Sequence, residues 1–68
     1  MKNVDARGYA CPQPVIMTKK ALENNGAPLQ VLVDSKTPLE NVTRFATNAG
    51  FQVTSKPMED GEFEIIIQ

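Results

Sequence analysis

Residues 60–68, DGEFEIIIQ, carry the information on sheet order. Asp60-Gly61 is a dipeptide suited to a tight hairpin turn, and beyond it Phe63, Ile65 and Ile67 alternate as the inward face of a strand. Phe63 to Ile67 is the most apolar run in the chain, which suits a central strand with a neighbour on each side. The preceding segment alternates too, with Phe51, Val53 and Ser55 on one side and Gln52, Thr54 and Lys56 on the other. It runs into Pro57, which has no N–H to give to a ladder, and Pro57 and Lys56 together suit an edge.

Working back from this hairpin, the segment from Thr37 to Gly50 reads as a helix. Thr37, Pro38 and Glu40 fit the cap, first and third positions of a capping box, and Leu39, Val42, Ala46 and Ala49 follow at helical spacing, with Phe45 on the same face. Leu29 to Asp34 alternates as a strand, with Leu29, Val31 and Val33 on one face. From Pro12 to Asn25 Val15, Met17, Thr18, Ala21 and Leu22 share one side of a helix, with Lys19, Lys20 and Glu23 opposite. Gly26 closes that helix and Pro28 blocks its continuation. Lys2 to Ala6 is a short strand. The element order is βαβαββ.

Two βαβ crossovers are right-handed, so both helices lie on one face of the sheet and the other face stays open. The hairpin returns the last strand between the second and third, antiparallel to both. The expected fold is therefore α+β: a two-layer α/β sandwich whose mixed four-stranded sheet has the order 1-2-4-3. Its parallel strands direct the loops Arg7 to Cys11, Asp34 to Thr37 and Pro57 to Gly61 to one edge, where open α/β sheets place ligands.

The bulk numbers narrow the function. A chain of 68 residues is one domain, near the lower limit for a fold held by an apolar core. Seven basic and eight acidic residues are interspersed, leaving a net charge of −1 and no Lys/Arg cluster, so direct nucleic-acid binding is not expected. No segment is apolar enough to span a membrane, and MKNVDARG lacks the apolar run of a secretory signal. Histidine is absent and cysteine occurs once, which removes zinc sites, Cys-His pairs, Ser-His-Asp triads and internal disulfides. A reducing cytoplasm is the expected compartment, with no metal and no cofactor.

The chemistry that remains centres on Cys11. In "DARGYACPQPVIMTKKAL", residues 5–22, it stands at the expected cap of the first helix, with Pro12 and Pro14 at the first and third positions. Both prolines lack an N–H and fix φ for helix initiation. Gln13 alone among these positions keeps a backbone N–H, for which a Cys11 thiolate is the natural acceptor. The positive end of the helix dipole favours the anion as well, so the thiol pKa is expected below the free value of about 8.5. A buried lone cysteine of no chemical role is the competing reading; Gly8 and the two prolines weigh against it.

The pattern of Asp5, Gly8, Cys11, Pro12 and Pro14 resembles the signature of the TusA/SirA/YedF family of small sulfur carriers, whose Cys-Pro-x-Pro motif opens the first helix. The resemblance covers the whole chain. It implies that Cys11 accepts a sulfane sulfur as a persulfide from a cysteine desulfurase and passes it to an acceptor protein, as a sulfurtransferase acting through a carried cargo. In the TusA branch that relay feeds thiolation of the tRNA wobble uridine. That branch usually has an acidic residue at the place of Gln13 and often a basic one at the place of Ala10. The stretch from Val33 to Val53 is more similar to YedF-like proteins, which implies an association with selenium metabolism and a DsrE-like domain as acceptor. Because the chain ends at Gln68 on its last strand, a single domain over 1–68 leaves open an N-terminal piece of a longer two-domain chain.

Other residues carry weaker expectations. Arg7 and Lys36 sit in loops at the cysteine edge, either as solvated cations or as contacts for an anionic persulfide or an acidic partner. Asp5 is expected to anchor its loop by accepting backbone N–H groups. Tyr9 reads as a loop packing residue. Ile16 falls on the polar side of the first helix, one turn from Cys11, as an ordinary exposed apolar residue or a docking anchor. A noncatalytic interaction or regulatory module is the main rival function. A thiol redox enzyme is a second, but there is no resolving cysteine in Cys-x-x-Cys spacing.

Overall fold

The computed structural model describes residues 2–10 and 12–68. Its elements are β1 (Lys2–Asp5), α1 (Gln13–Asn25), β2 (Leu29–Val33), α2 (Lys36–Asn48), β3 (Val53–Pro57) and β4 (Phe63–Ile67). The sheet has the order β1-β2-β4-β3. β1 runs parallel to β2, while β4 is antiparallel to both β2 and β3, as the apolar run of Phe63 to Ile67 predicts.

The core follows from the period-2 alternation of the two central strands. Leu29, Val31 and Val33 on β2 and Ile65 and Ile67 on β4 are fully buried, and the register pairs Leu29 with Ile67 and Val31 with Ile65. Against this face α1 packs on β1 and β2, and α2 on β4 and β3. Pro14 and Thr18 from α1 and Val42 and Ala46 from α2 complete the buried layer. Both helices thus cover one face. On the opposite face Gln30, Leu32, Glu64 and Ile66 alternate with the buried set; there Glu64 pairs with Lys56 at 3.6 Å and accepts the Gln30 amide N–H.

Several boundaries differ from those expected, each for a local reason. Cys11, expected as the cap of the first helix, lies outside the described residues. The first i→i+4 bond of α1 runs from the Ile16 N–H to the Pro12 carbonyl (3.1 Å), so Pro12 is the N-cap and Pro14 the second helical position. In α2 the Leu39 N–H donates to the Ser35 carbonyl at 3.4 Å, which makes extended Ser35 the N-cap in place of Thr37. Pro38 then falls at the third position, where its missing N–H still leaves nothing unsatisfied. The capping box does not form: Ser35 makes no side-chain cap bond. Ala49 is exposed at the helix end instead of facing the core.

Phe51 also leaves its expected strand. Its N–H donates to the Ala46 carbonyl at 3.1 Å, so it packs against the core from the end of α2, and β3 starts only at Val53. The hairpin turn does follow its dipeptide: Asp60 and Gly61 take φ of 61° and 74°, and the Glu62 N–H closes on the Glu59 carbonyl at 3.3 Å. Gly26 ends α1 as expected, at φ 71° with its N–H on the Leu22 carbonyl.

Candidate functional site

The loop between β1 and α1 begins where Ala6, fully buried, extends the parallel ladder by donating to the Leu32 carbonyl at 2.9 Å. Beyond it every residue to Ala10 is exposed. Gly8 takes φ +84°, and a Cβ built there would meet open space, so glycine serves the backbone conformation and not a steric need. Its N–H donates to Asp34 Oδ2 at 2.7 Å. Asp34 is the first residue past β2, so this bond joins the loop after β1 to the loop after β2.

Arg7 forms a second tie. Its Nε and Nη2 donate to Asp5 Oδ1 and Oδ2, both at 2.8 Å, a two-pronged fork to which the Arg7 backbone N–H adds a third bond on Oδ1 at 3.1 Å. The remaining arm, Nη1, reaches Glu62 Oε1 at 3.3 Å, just before β4. Side-chain bonds from Arg7, seconded by its backbone N–H, hold the Asp5 carboxyl at a pKa of about 2, well below the ordinary range. The same fork pushes the Arg7 guanidinium further up. Arg7, expected either as a solvated cation or as a contact for an anion, is thus paired with two carboxylates of its own chain.

Past position 11 the Gln13 N–H, expected to face a thiolate, donates to the Ala10 carbonyl at 2.9 Å. Pro12 is exposed, whereas Pro14 is fully buried beneath the helix start, so the two motif prolines do different work. Lys36 is the exposed first residue of α2. Tyr9, expected to pack the loop, is instead 50% exposed; Ile16 on α1 and Met58 on the hairpin are 39% and 42% exposed. These large apolar side chains flank the edge where the three loops meet.

The edge is thus assembled from β1, α1, β2, the start of α2 and the hairpin. Asp5, Arg7 and Gly8 meet Asp34 and Glu62 there. Asp34 and Glu62 were not singled out from sequence, because each acquires its partner only through the fold, 26 and 55 residues away.

Comparison with known proteins bears directly on this edge. The sequence profile of the family described as Sulfurtransferase TusA matches residues 2–68. The chain belongs to the TusA sulfurtransferase family. A candidate sulfur carrier protein of Methanocaldococcus jannaschii is 46% identical over 70 residues, spanning 100% of this chain and 93% of that one. The sulfur carrier protein TusA of Allochromatium vinosum is 28% identical over 69 residues, with 98% and 91% covered. The crystal structure of a SirA-like protein from Desulfitobacterium hafniense matches with a TM-score of 0.92 at 36% identity, covering 98% of this chain and 95% of that one. In this TusA-family chain the motif positions Pro12, Gln13 and Pro14 form the start of α1, and Asp5 and Gly8 sit in the tied loop before it.

Proposed function

We propose that the protein is a sulfur carrier that holds a sulfane sulfur as a persulfide on Cys11. The observation that carries this reading is the family match over residues 2–68 in a chain whose one cysteine stands in Cys11-Pro12-Gln13-Pro14. The Allochromatium vinosum relative is named as a sulfur carrier and the Methanocaldococcus jannaschii one as a candidate sulfur carrier, which favours sulfur over selenium as cargo.

The chemistry is an exchange between thiols. The Cys11 thiolate attacks the terminal sulfur of a persulfide on the donor. A new S–S bond forms to Cys11 as the donor's S–S bond breaks, the donor leaves as a thiolate, and the transferred sulfur keeps its proton. Delivery repeats the step with the acceptor's thiolate as the attacking group. No external oxidant or reductant is needed, since the sulfane sulfur keeps its oxidation state throughout. The donor in this scheme is a cysteine desulfurase, and the acceptor is a sulfur-relay protein such as a DsrE-like domain, met in the reducing cytoplasm. Exposed Tyr9, Ile16 and Met58 suit contacts with such protein partners.

Intact mass spectrometry after incubation with a cysteine desulfurase and free cysteine tests the reading. The expected product is the chain plus the mass of one sulfur, removable by dithiothreitol and absent from Cys11→Ser. An unmodified wild-type chain, with this donor and with glutathione persulfide alike, would contradict it.

A further inference from the structure

Two carboxylates outside the Cys-Pro-x-Pro motif tie the β1–α1 loop to the rest of the fold. Asp34 accepts the Gly8 N–H at 2.7 Å, and Glu62 accepts Arg7 Nη1 at 3.3 Å. Beyond position 11, the Gln13 N–H is closed on the Ala10 carbonyl at 2.9 Å. The described residues on both sides of position 11 are therefore held, upstream by Asp34 just past β2 and Glu62 just before β4, and downstream by the bond of the Gln13 N–H to the Ala10 carbonyl.

The two ties are unequal. Gly8 at φ +84° occupies one of several wells that glycine visits freely, so an unanchored loop would keep considerable conformational entropy. A short bond from its N–H to an ionised carboxylate selects one of those wells. Glu62 makes a longer contact to a guanidinium already forked onto Asp5 within its own segment. Asp34 is the stronger determinant.

We infer that Asp34, seconded by Glu62, is a positioning residue for the thiol chemistry of Cys11: it fixes the backbone of Gly8, and with it the loop that leads into the reactive position. The inference rests on the reading of Cys11 as the sulfur acceptor. A loop released from Asp34 spends only part of its time in the competent arrangement, and the reaction slows by that fraction.

The test compares wild type, Asp34→Ala, Asp34→Asn and Glu62→Gln as full chains. Sulfur uptake from glutathione persulfide and alkylation by iodoacetamide are both followed against pH. Positioning predicts that Asp34→Ala slows both reactions about five- to tenfold near neutral pH. Asp34→Asn, which keeps an acceptor oxygen for Gly8, restores most of the rate, and Glu62→Gln gives a smaller loss. Simple removal of a negative charge would instead lower the thiol pKa and speed alkylation in both Asp34 variants; that result overturns the inference. So do unchanged rates in Asp34→Ala. Wild type that alkylates but takes up no sulfur defeats the carrier reading, and the alkylation comparison still decides the role of Asp34. If Asp34→Ala does not fold, the Gly8 amide proton of wild type decides: a downfield resonance that moves with protonation of a carboxylate supports the tie, and one indifferent to acid overturns it.

Discussion

The backbone N–H of Gly8 lies 2.7 Å from Asp34 Oδ2, which joins the loop after β1 to the end of β2. Hydrogen bond and positive φ act on the same residue, so the site's backbone is sensitive there. Gly8→Ala is expected to destabilise the protein by about 1 kcal/mol or somewhat more, because alanine pays for the left-handed region although its Cβ meets open space. Gly8→Asn costs less, since asparagine tolerates that region better. Chemical denaturation of the two variants measures the difference, and equal losses would point to a steric cause.

Asp5 provides a pH signature. Its folded pKa of about 2 lies below an unfolded value of about 3.9. The contribution to stability is therefore complete above the unfolded value and is lost as pH falls through about 2, because the unfolded chain binds the proton first. Carboxyl-carbon NMR is expected to show Asp5 titrating near 2, and Arg7→Gln is expected to return it to the ordinary range. An Asp5 that titrates near 3.9 in wild type would mean that the fork does not form.

The two motif prolines separate by burial. Pro14 is fully buried and Pro12 exposed. Pro14→Ala is expected to cost about 1–2 kcal/mol from lost apolar burial and the gap left behind. Pro12→Ala is expected to stay within about 0.5 kcal/mol of wild type. Thermal unfolding of the single variants checks this, and equal losses would contradict the buried role of Pro14.

Two threonines make opposite predictions. Thr18 is buried and donates its hydroxyl to the Pro14 carbonyl at 2.9 Å, so Thr18→Val should cost about 0.5–1.5 kcal/mol. The Thr43 hydroxyl oxygen is buried without a hydrogen-bond partner. Thr43→Val, nearly the same in shape, should stabilise the protein by about 1 kcal/mol. The same sign for both substitutions would show that one of the hydroxyls is placed differently.

The sheet order was legible because one apolar run, Phe63 to Ile67, demands two neighbours and the adjacent Pro57 refuses one. Helix starts were not. Ser35 and Pro12 become N-caps through the carbonyl that accepts the first helical bond, and several residues near each start satisfy the same composition rules. Phe51 was drawn out of its strand by the local C-cap of α2, in which its N–H bonds the Ala46 carbonyl and the Gly50 N–H the Thr47 carbonyl, a choice that strand alternation cannot express. The motif around Cys11 was visible as a pattern of neighbours in sequence. Asp34 and Glu62 were not, since their bonds to Gly8 and Arg7 exist only once β2 and β4 bring distant loops to one edge.

The central claim is that Cys11 carries sulfur onward and is not merely modified by it. The most direct measurement is a single-turnover chase: the protein is loaded with radiosulfur from labelled cysteine through a desulfurase, separated from the donor, and mixed with a DsrE-like acceptor. The account predicts that label leaves the wild-type chain and appears on the acceptor in a dithiothreitol-labile form, while Cys11→Ser never acquires it. Label that loads equally onto Cys11→Ser, or that stays on wild type until reductant is added, would contradict the assignment.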